Sequence, residues 1–568
     1  MDNQKEKSPT SRRKTVRVSK SLCEKEVASV QQRQATVIKC LQKLSIPCDA
    51  TRVPTIAVLG SGGGNRAMVS LMGTLSEMKT QNLLDSILYL CGVSGSTWCM
   101  SALYKDKEWS SQVEETEKKM VKTLTSEKVS FLKILGRITE AAWDENCSLT
   151  DFWAGTLVYS FVKKEDKLHL SSNTDETMVN PYPIYAVVDK WRLNNKDQYD
   201  KGIWFEFTRH EAGYPGYGAF VDTSVFGSRL MAGEITESKK EMDMLYLQGL
   251  CGSAIGNMRH NIKFMIDWII HSIFRGGTVE LENRIMSFEK GVHCDCKHCT
   301  AVFLLLELHE AFHSGKDCKS ILHSLMATQE GEGYKLMSDI FETWEEKIDE
   351  EQNILVSEIT DFVCGTIQGK YIKKDNDVEG RKLLRKMCTL YTKWIWGTKF
   401  NFMRELLHPE LPDELIQDET IHLIDAGLSN NCAYPLVLRA ERNVKLILSF
   451  DFSEGDPFLT VRQAAEYSKK NNISFPFIPE VSEEEKACPS DCYIYRGKNT
   501  PTVMHFPLFN KVNCGDAEKI KKTWKIYTTA RLQNYTKKEI EVLLAASKSN
   551  VRNNRDKIIT EIKKQLPL

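Results

Sequence analysis

The chain has 568 residues, 42% hydrophobic and 27% charged, with Lys+Arg and Asp+Glu both at 76. That length can bury a large core, and a formal net charge of zero excludes a dedicated nucleic-acid binder, which needs a basic excess. The 17 cysteines follow no repeated spacing and the N-terminus has no apolar signal core, so free thiols in a reducing compartment are expected.

In chain order, residues 1–20 carry seven basic and two acidic residues and are read as a disordered basic arm. A helix is predicted from about Leu22 to Leu44, and Pro47 and Pro54 bracket a linker, so that 21–54 forms an N-terminal helix and linker. Thr55–Leu59 is a short apolar strand, and Asn65 to about Lys79 has a helical period. Ile87–Cys91 is a second buried strand and Thr97–Tyr104 a second buried helix. The uncharged run Ser86–Tyr104 has Gly92, Ser94, Gly95 and Ser96 at its middle, which does not suit a spanning helix. No lipidation signal is expected: Asp2 excludes myristoylation and the chain ends QLPL. Strand, turn and helix occurring twice in succession predict a parallel α/β sheet. From about residue 105 to 393 the pattern loosens, and this stretch is read as a cap inserted into one catalytic domain spanning 55–568. Strands return at His422–Ile424 and Leu446–Phe450, and a final helix starts near Thr536, where Thr536 and Glu539 form a capping box.

Three segments carry chemistry. GSGGGNR, Gly60–Arg66, follows a strand, and its glycines allow a sharp turn that presents bare N–H groups. Asn65 breaks the dinucleotide fingerprint, and no Lys-Ser or Lys-Thr completes a P-loop. An oxyanion hole or a plain tight turn remain. GVSGS, Gly92–Ser96, lies between a strand and a helix as a nucleophilic serine would, although Ser96 stands where the usual elbow has glycine. HLIDAGLSNN places Asp425 at a strand end, as a base for the serine or as a turn cap; Asp451 in LILSFDFS is a second candidate of that kind. After Asp425 the one histidine is His505, in an apolar strand-like run. A Ser94–Asp–His505 esterase triad and a Ser94–Asp425 dyad are therefore the competing enzymatic readings, with a catalytically silent binding protein as the alternative from another class.

GSGGGNRAM, CGVSGSTW and IDAGLSNN, in this order, resemble the cytosolic phospholipase A2 family, relatives of the patatins. The likeness continues through SLTDFW, PYPIYAVVD, GAFVDTSVFGS, WGTKFNF, LILSFDFSEGDPF and HFPLFN, and it is greatest to the gamma, or group IVC, branch. The resemblance implies an α/β fold whose central, mostly parallel sheet is flanked by helices and carries a large inserted cap. It implies Ser94 as nucleophile, Asp425 as general base, Gly63 and Gly64 as oxyanion donors, and Arg66 as the residue that meets the substrate phosphate. The implied activity is that of a phospholipase A2 and lysophospholipase acting through an acyl-serine, with acyl transfer as a further outcome. Its substrates are glycerophospholipids and lysophospholipids, met at the surface of an intracellular membrane by a cytoplasmic protein. No cofactor and no metal are expected. Other members carry a calcium-binding C2 domain; with the catalytic loop already at Gly60, none is expected here, and activity should not depend on calcium. Oligomeric state is not indicated.

Three further features are weaker. Cys294, Cys296, His298 and Cys299 are zinc-type ligands at a spacing too tight for an ordinary site, and are read as a reduced surface loop. Trp394, Trp396, Phe400 and Phe402 suit either an acyl channel or a core. The helix after Thr536 has an apolar face of Ile540, Leu543, Leu544 and Val551, expected to dock on the domain.

Overall fold

A computed structural model describes residues 15–126, 131–164, 166–173, 179–254, 297–313, 315–369 and 393–566 except 530, 532 and 533, with scattered positions from 383 to 391. Along the chain run β1 (Val16–Val18), α1 (Glu24–Lys43), β2 (Ile56–Gly60), α2 (Gly64–Thr80), β3 (Tyr89–Gly92), α3 (Gly95–Leu103) and α4 (Val113–Ser126). Next come β4 (Tyr182–Asp189), β5 (Trp204–Phe207), β6 (Glu211–Tyr214), β7 (Ala219–Asp222), β8 (Arg229–Met231) and β9 (Glu234–Glu237). The strands after the cap helices are β10 (Thr398–Phe400), β11 (Thr420–Asp425), β12 (Leu446–Asp451), β13 (Tyr493–Tyr495) and β14 (Thr502–Pro507).

The main sheet has the order β1-β7-β6-β5-β4-β3-β2-β12-β14-β13, with β11 laid on β4 and β10 on β11. Its centre, β4-β3-β2-β12-β14, is parallel. These strands are buried on both faces, which is why their sequences are apolar runs rather than alternating ones. An antiparallel meander, β5 to β7, extends one edge. The stretch 105–393, expected as a cap, thus also supplies β4 at the centre of the sheet and the meander beside it. The described cap helices Lys297–His313, Lys319–Met326, Glu332–Thr343 and Asp349–Gly369 pack on one another.

The arm expected to be disordered over 1–20 needs a correction at its end. Val16–Val18 is an edge strand antiparallel to β7, and Arg17 grips Glu211 with two hydrogen bonds of 2.7 and 2.6 Å. A bidentate guanidinium–carboxylate pair outweighs the flexibility that charge and polarity alone suggested. The rest of the arm, residues 1–14, lies outside the described residues. Inside the fold, Arg442 is fully buried and bonds both Glu26 on α1 and Glu206 on β5, which locks α1 to the sheet. The capping box at Thr536–Glu539 is present, its helix ends at Asn553, and a further helix follows at Arg555–Lys564. Ile540, Leu543, Leu544 and Val551 are buried, and this helix packs on α2. Phe402 is in the core against Phe205, Tyr214 and Phe226, and Trp396 and Phe400 are buried too. Cys294, Cys296 and the side chains of His298 and Cys299 lie outside the described residues. Among the described residues no helix is long and apolar enough to cross a membrane.

Candidate active site

The sheet register brings Ser94 and Asp425 together. On one edge of β4, β3 ends with Gly92 opposite Tyr185. Beyond that point the same edge is taken by β11, which runs the other way and ends with Asp425 opposite Val187. The two strands therefore meet head to head, and Ser94, two residues past Gly92, arrives at the level of Asp425. The Ser94 hydroxyl stands near enough to the Asp425 carboxylate to favour its charged form.

Ser94 caps α3 with φ 51° and ψ −124°, a left-handed conformation that costs a non-glycine residue about 1–3 kcal/mol. The strain aims the hydroxyl out of the turn, as at a nucleophile elbow. Ser96, which departs from the usual elbow, donates to Ser61 O at 2.6 Å and so ties this turn to the glycine loop. Gly95 is required by close approach: a Cβ there would lie 1.9 Å from Gly64 O.

Asp425 is wholly buried. Its Oδ1 accepts from Gly427 N at 2.8 Å and its Oδ2 from Ala254 N at 3.1 Å, while its own N–H donates to Ser253 Oγ at 3.0 Å. Burial pushes its carboxyl up to about 6, against the pull of the hydrogen bonds from Gly427, Ala254 and Ser94. Desolvation wins because the charged form gives up water for two backbone donors and the nearby Ser94 hydroxyl.

Gly63 caps α2 at φ 149° and Gly64 opens it at φ 55°, both in backbone territory that favours glycine. The first N–H groups of a helix have no acceptor within it, and the dipole of this 17-residue helix adds partial positive charge there. Asn431 fixes the loop: its N–H side-chain group donates to Gly62 O at 3.1 Å and its carbonyl accepts from Gly62 N at 2.9 Å. Asn431 closes the motif that carries Asp425, and nothing in the sequence alone marks it as the support of the glycine loop. Ser253 and Ala254, which hold Asp425, carried no signal in the sequence.

Arg66, which the resemblance assigns to the substrate phosphate, has its guanidinium on protein partners. It is fully buried, with Nε donating to Phe452 O at 2.7 Å, Nη1 to Tyr527 O and Nη2 to Thr529 Oγ1 at 3.1 Å. Its guanidinium stacks on Trp524 at 4.9 Å and lies under Gly63, whose added Cβ would meet Nη2 at 2.7 Å. Arg66 thus props the glycine loop. His505 lies on β14, three strands from β3, which is about 14 Å at ordinary strand spacing. It is buried and donates Nε2–H to Pro457 O at 2.6 Å, so it does not reach Ser94. Asp451 caps its own turn, accepting from Ser453 N at 2.8 Å, from Ser61 Oγ at 3.2 Å and from the Thr460 hydroxyl.

Comparison with known proteins points to one family. Residues 56–269 match the lysophospholipase catalytic domain family. The chain is 35% identical to mouse (Mus musculus) cytosolic phospholipase A2 gamma over 96% of its length and 91% of the relative's. It is also 35% identical to the human (Homo sapiens) gamma protein, covering 96% of both, and 31% identical to human cytosolic phospholipase A2 zeta, covering 87% of this chain and 54% of that one. The solved structure of human GIVD cytosolic phospholipase A2 superposes with a TM-score of 0.65 at 21% identity, covering 97% of this chain and 66% of that one, a likeness of fold. The chain belongs to the cytosolic phospholipase A2 family.

Proposed function

We propose that the protein hydrolyses fatty acyl esters of glycerophospholipids and lysophospholipids through a Ser94–Asp425 dyad. The observation that carries this is the meeting of the strained Ser94, just past the end of β3, with the buried Asp425 at the end of β11, where burial raises the carboxyl's affinity for a proton. A base of that strength is ionised at neutral pH yet accepts a proton more readily than an ordinary aspartate.

In the first step Asp425 takes the Ser94 proton as Oγ attacks the ester carbonyl. The N–H groups of Gly63 and Gly64 receive the developing oxyanion. The protonated Asp425 then passes its proton to the departing alcohol, leaving an acyl-serine and a lysophospholipid or glycerophosphodiester. Water enters, gives its proton to Asp425 and attacks the acyl carbonyl, and Asp425 returns that proton to Ser94 Oγ as the fatty acid leaves; a second lipid alcohol in place of water yields acyl transfer. This scheme assigns the oxyanion to backbone N–H groups and the proton to Asp425, and so calls on no calcium. The chain works in the cytoplasm and meets its substrates at a membrane surface without spanning it. Within the fold, 55–568 serves as one catalytic domain, preceded by α1 and its linker.

The test is turnover of defined phospholipid and lysophospholipid vesicles in EGTA by the wild type and by Ser94→Ala. Loss of the nucleophile should lower kcat by at least about a thousandfold with the fold intact. Retention of activity within about tenfold would reject the assignment of Ser94. A requirement for added calcium would reject metal-free action.

A further inference from the structure

On the helical face, away from the ester site, α2, α3 and α4 enclose a cavity of about 520 Å³. This is within the range of small-molecule sites, about 300–1,000 Å³. Its inner wall is apolar, formed by Met68, Trp98, Met120, Leu124 and Val162, all buried. Its rim is basic, with Lys105, Lys107, Lys119 and Lys164. Two carboxylates lie near: Asp106 also lines the cavity and accepts from Glu108 N at 2.9 Å, and Asp166 pairs with Lys105 at 3.0 Å. Lys119 and Lys164 have no acidic partner among the described residues. Lys164 stands near enough to Lys105 to help lower its proton affinity, after burial, which is the larger cause. Like charges gathered at the mouth of an apolar pocket repel one another and are relieved by an anion.

Gln248, itself 3% exposed, also lines the cavity, and its side-chain oxygen has no hydrogen-bond partner among the described residues. With the amide turned over it offers N–H to an acceptor in the pocket. The basic mouth is distinct from the ester site. Ser94 caps the N-terminal end of α3 while Lys105 follows its C-terminal end, and nine helical residues span about 13 Å.

We infer that this cavity is a second lipid site, holding a single-chain carboxylate with its tail against Met68 and Trp98 and its head among Lys105, Lys119 and Lys164. An apolar interior with a cationic rim matches a fatty-acid anion, and it does not suit a neutral diacyl lipid. The identification of that anion with the released product rests on the function proposed above; the site itself does not.

The test is isothermal titration of full-length Ser94→Ala protein with oleate below its aggregation range. One saturable site is expected. Oleyl alcohol, which keeps the chain and removes the charge, should bind about tenfold more weakly or worse, since hydrogen bonds to a charged group contribute about 1.5–3 kcal/mol each. The double variant Lys119→Glu/Lys164→Glu should show the same loss, both side chains being exposed and dispensable to folding. Ala102→Phe, on the same wall, should abolish binding by filling the cavity. Wild-type protein labelled with an alkyl fluorophosphonate should still bind oleate. Absence of saturable binding, equal affinity for acid and alcohol, indifference to both variants, or loss of binding on labelling would each overturn the inference, the last by placing the chain in the ester site. Failure of the hydrolysis assay would instead reject the proposed function and leave this binding result standing.

Discussion

Asp425→Asn separates the cost of the base from its use. The carboxyl is pushed from 3.8 to about 6 by burial. Two pKa units correspond to about 3 kcal/mol between the protonation states. The sign follows from proton counts. Between about pH 4 and 6 the folded protein binds more protons at this site than the unfolded chain, so stability falls as pH rises through that window. The full penalty of about 3 kcal/mol is present above pH 6, and it vanishes below the unfolded value. Asparagine carries no charge and has no such slope. It does turn one acceptor into a donor facing Gly427 N or Ala254 N, a cost that does not vary with pH. The informative quantity is therefore the change with pH in the stability gap between the two proteins. Urea unfolding of each at pH 5 and pH 8 should show the variant gaining about 1.4 kcal/mol on the wild type between those values. The kcat/KM of the wild type should fall tenfold per pH unit below about pH 6, and the variant should lose activity by orders of magnitude at every pH. A gap that stays constant to within about 0.5 kcal/mol, or wild-type activity that holds down to about pH 5, would refute the description of Asp425 as a desolvated base.

Three further substitutions probe the scaffold. Gly95→Ala should abolish activity, because its Cβ would sit 1.9 Å from Gly64 O and push the two turns apart; a displacement of 1 Å can cost about a hundredfold in rate, read as kcat/KM. Arg66→Lys should destabilise by about 2–5 kcal/mol in urea unfolding, since one ammonium cannot serve Phe452 O, Tyr527 O and Thr529 Oγ1 together. It should lower kcat/KM equally on a phospholipid and on an uncharged ester; a loss confined to the phospholipid would restore Arg66 to the phosphate. His505→Gln should keep kcat/KM within about tenfold of wild type, because the imidazole is spent on Pro457 O; a folded but inactive variant would revive the triad.

What the sequence determined by itself was local. The apolar runs before Gly60 and Gly92, and the glycines that follow, specify two strand–turn–helix units because strand burial, left-handed turns and helix starts depend on neighbours a few residues apart. The capping box at Thr536 and the helix Glu24–Lys43 were legible for the same reason. Through its resemblance to a family, the sequence also named Ser94 and Asp425, but the register that makes them neighbours was not in it. β3 and β11 come from opposite ends of a long insertion and meet only because both lie on one edge of β4, and β4 itself stood hidden in a stretch read as cap. Arg66 shows the limit most plainly. The resemblance assigned it to a phosphate, and its partners in the fold, Phe452, Tyr527 and Thr529, lie hundreds of residues away. Val16–Val18 became a strand because Glu211 waited on β6 for Arg17. For β3 and β11 the deciding term was strand pairing across the long insertion, and for Arg66 and Arg17 it was the burial or pairing of a charge by distant parts of the chain; neither has a value until the tertiary structure fixes which groups are dry and which are met.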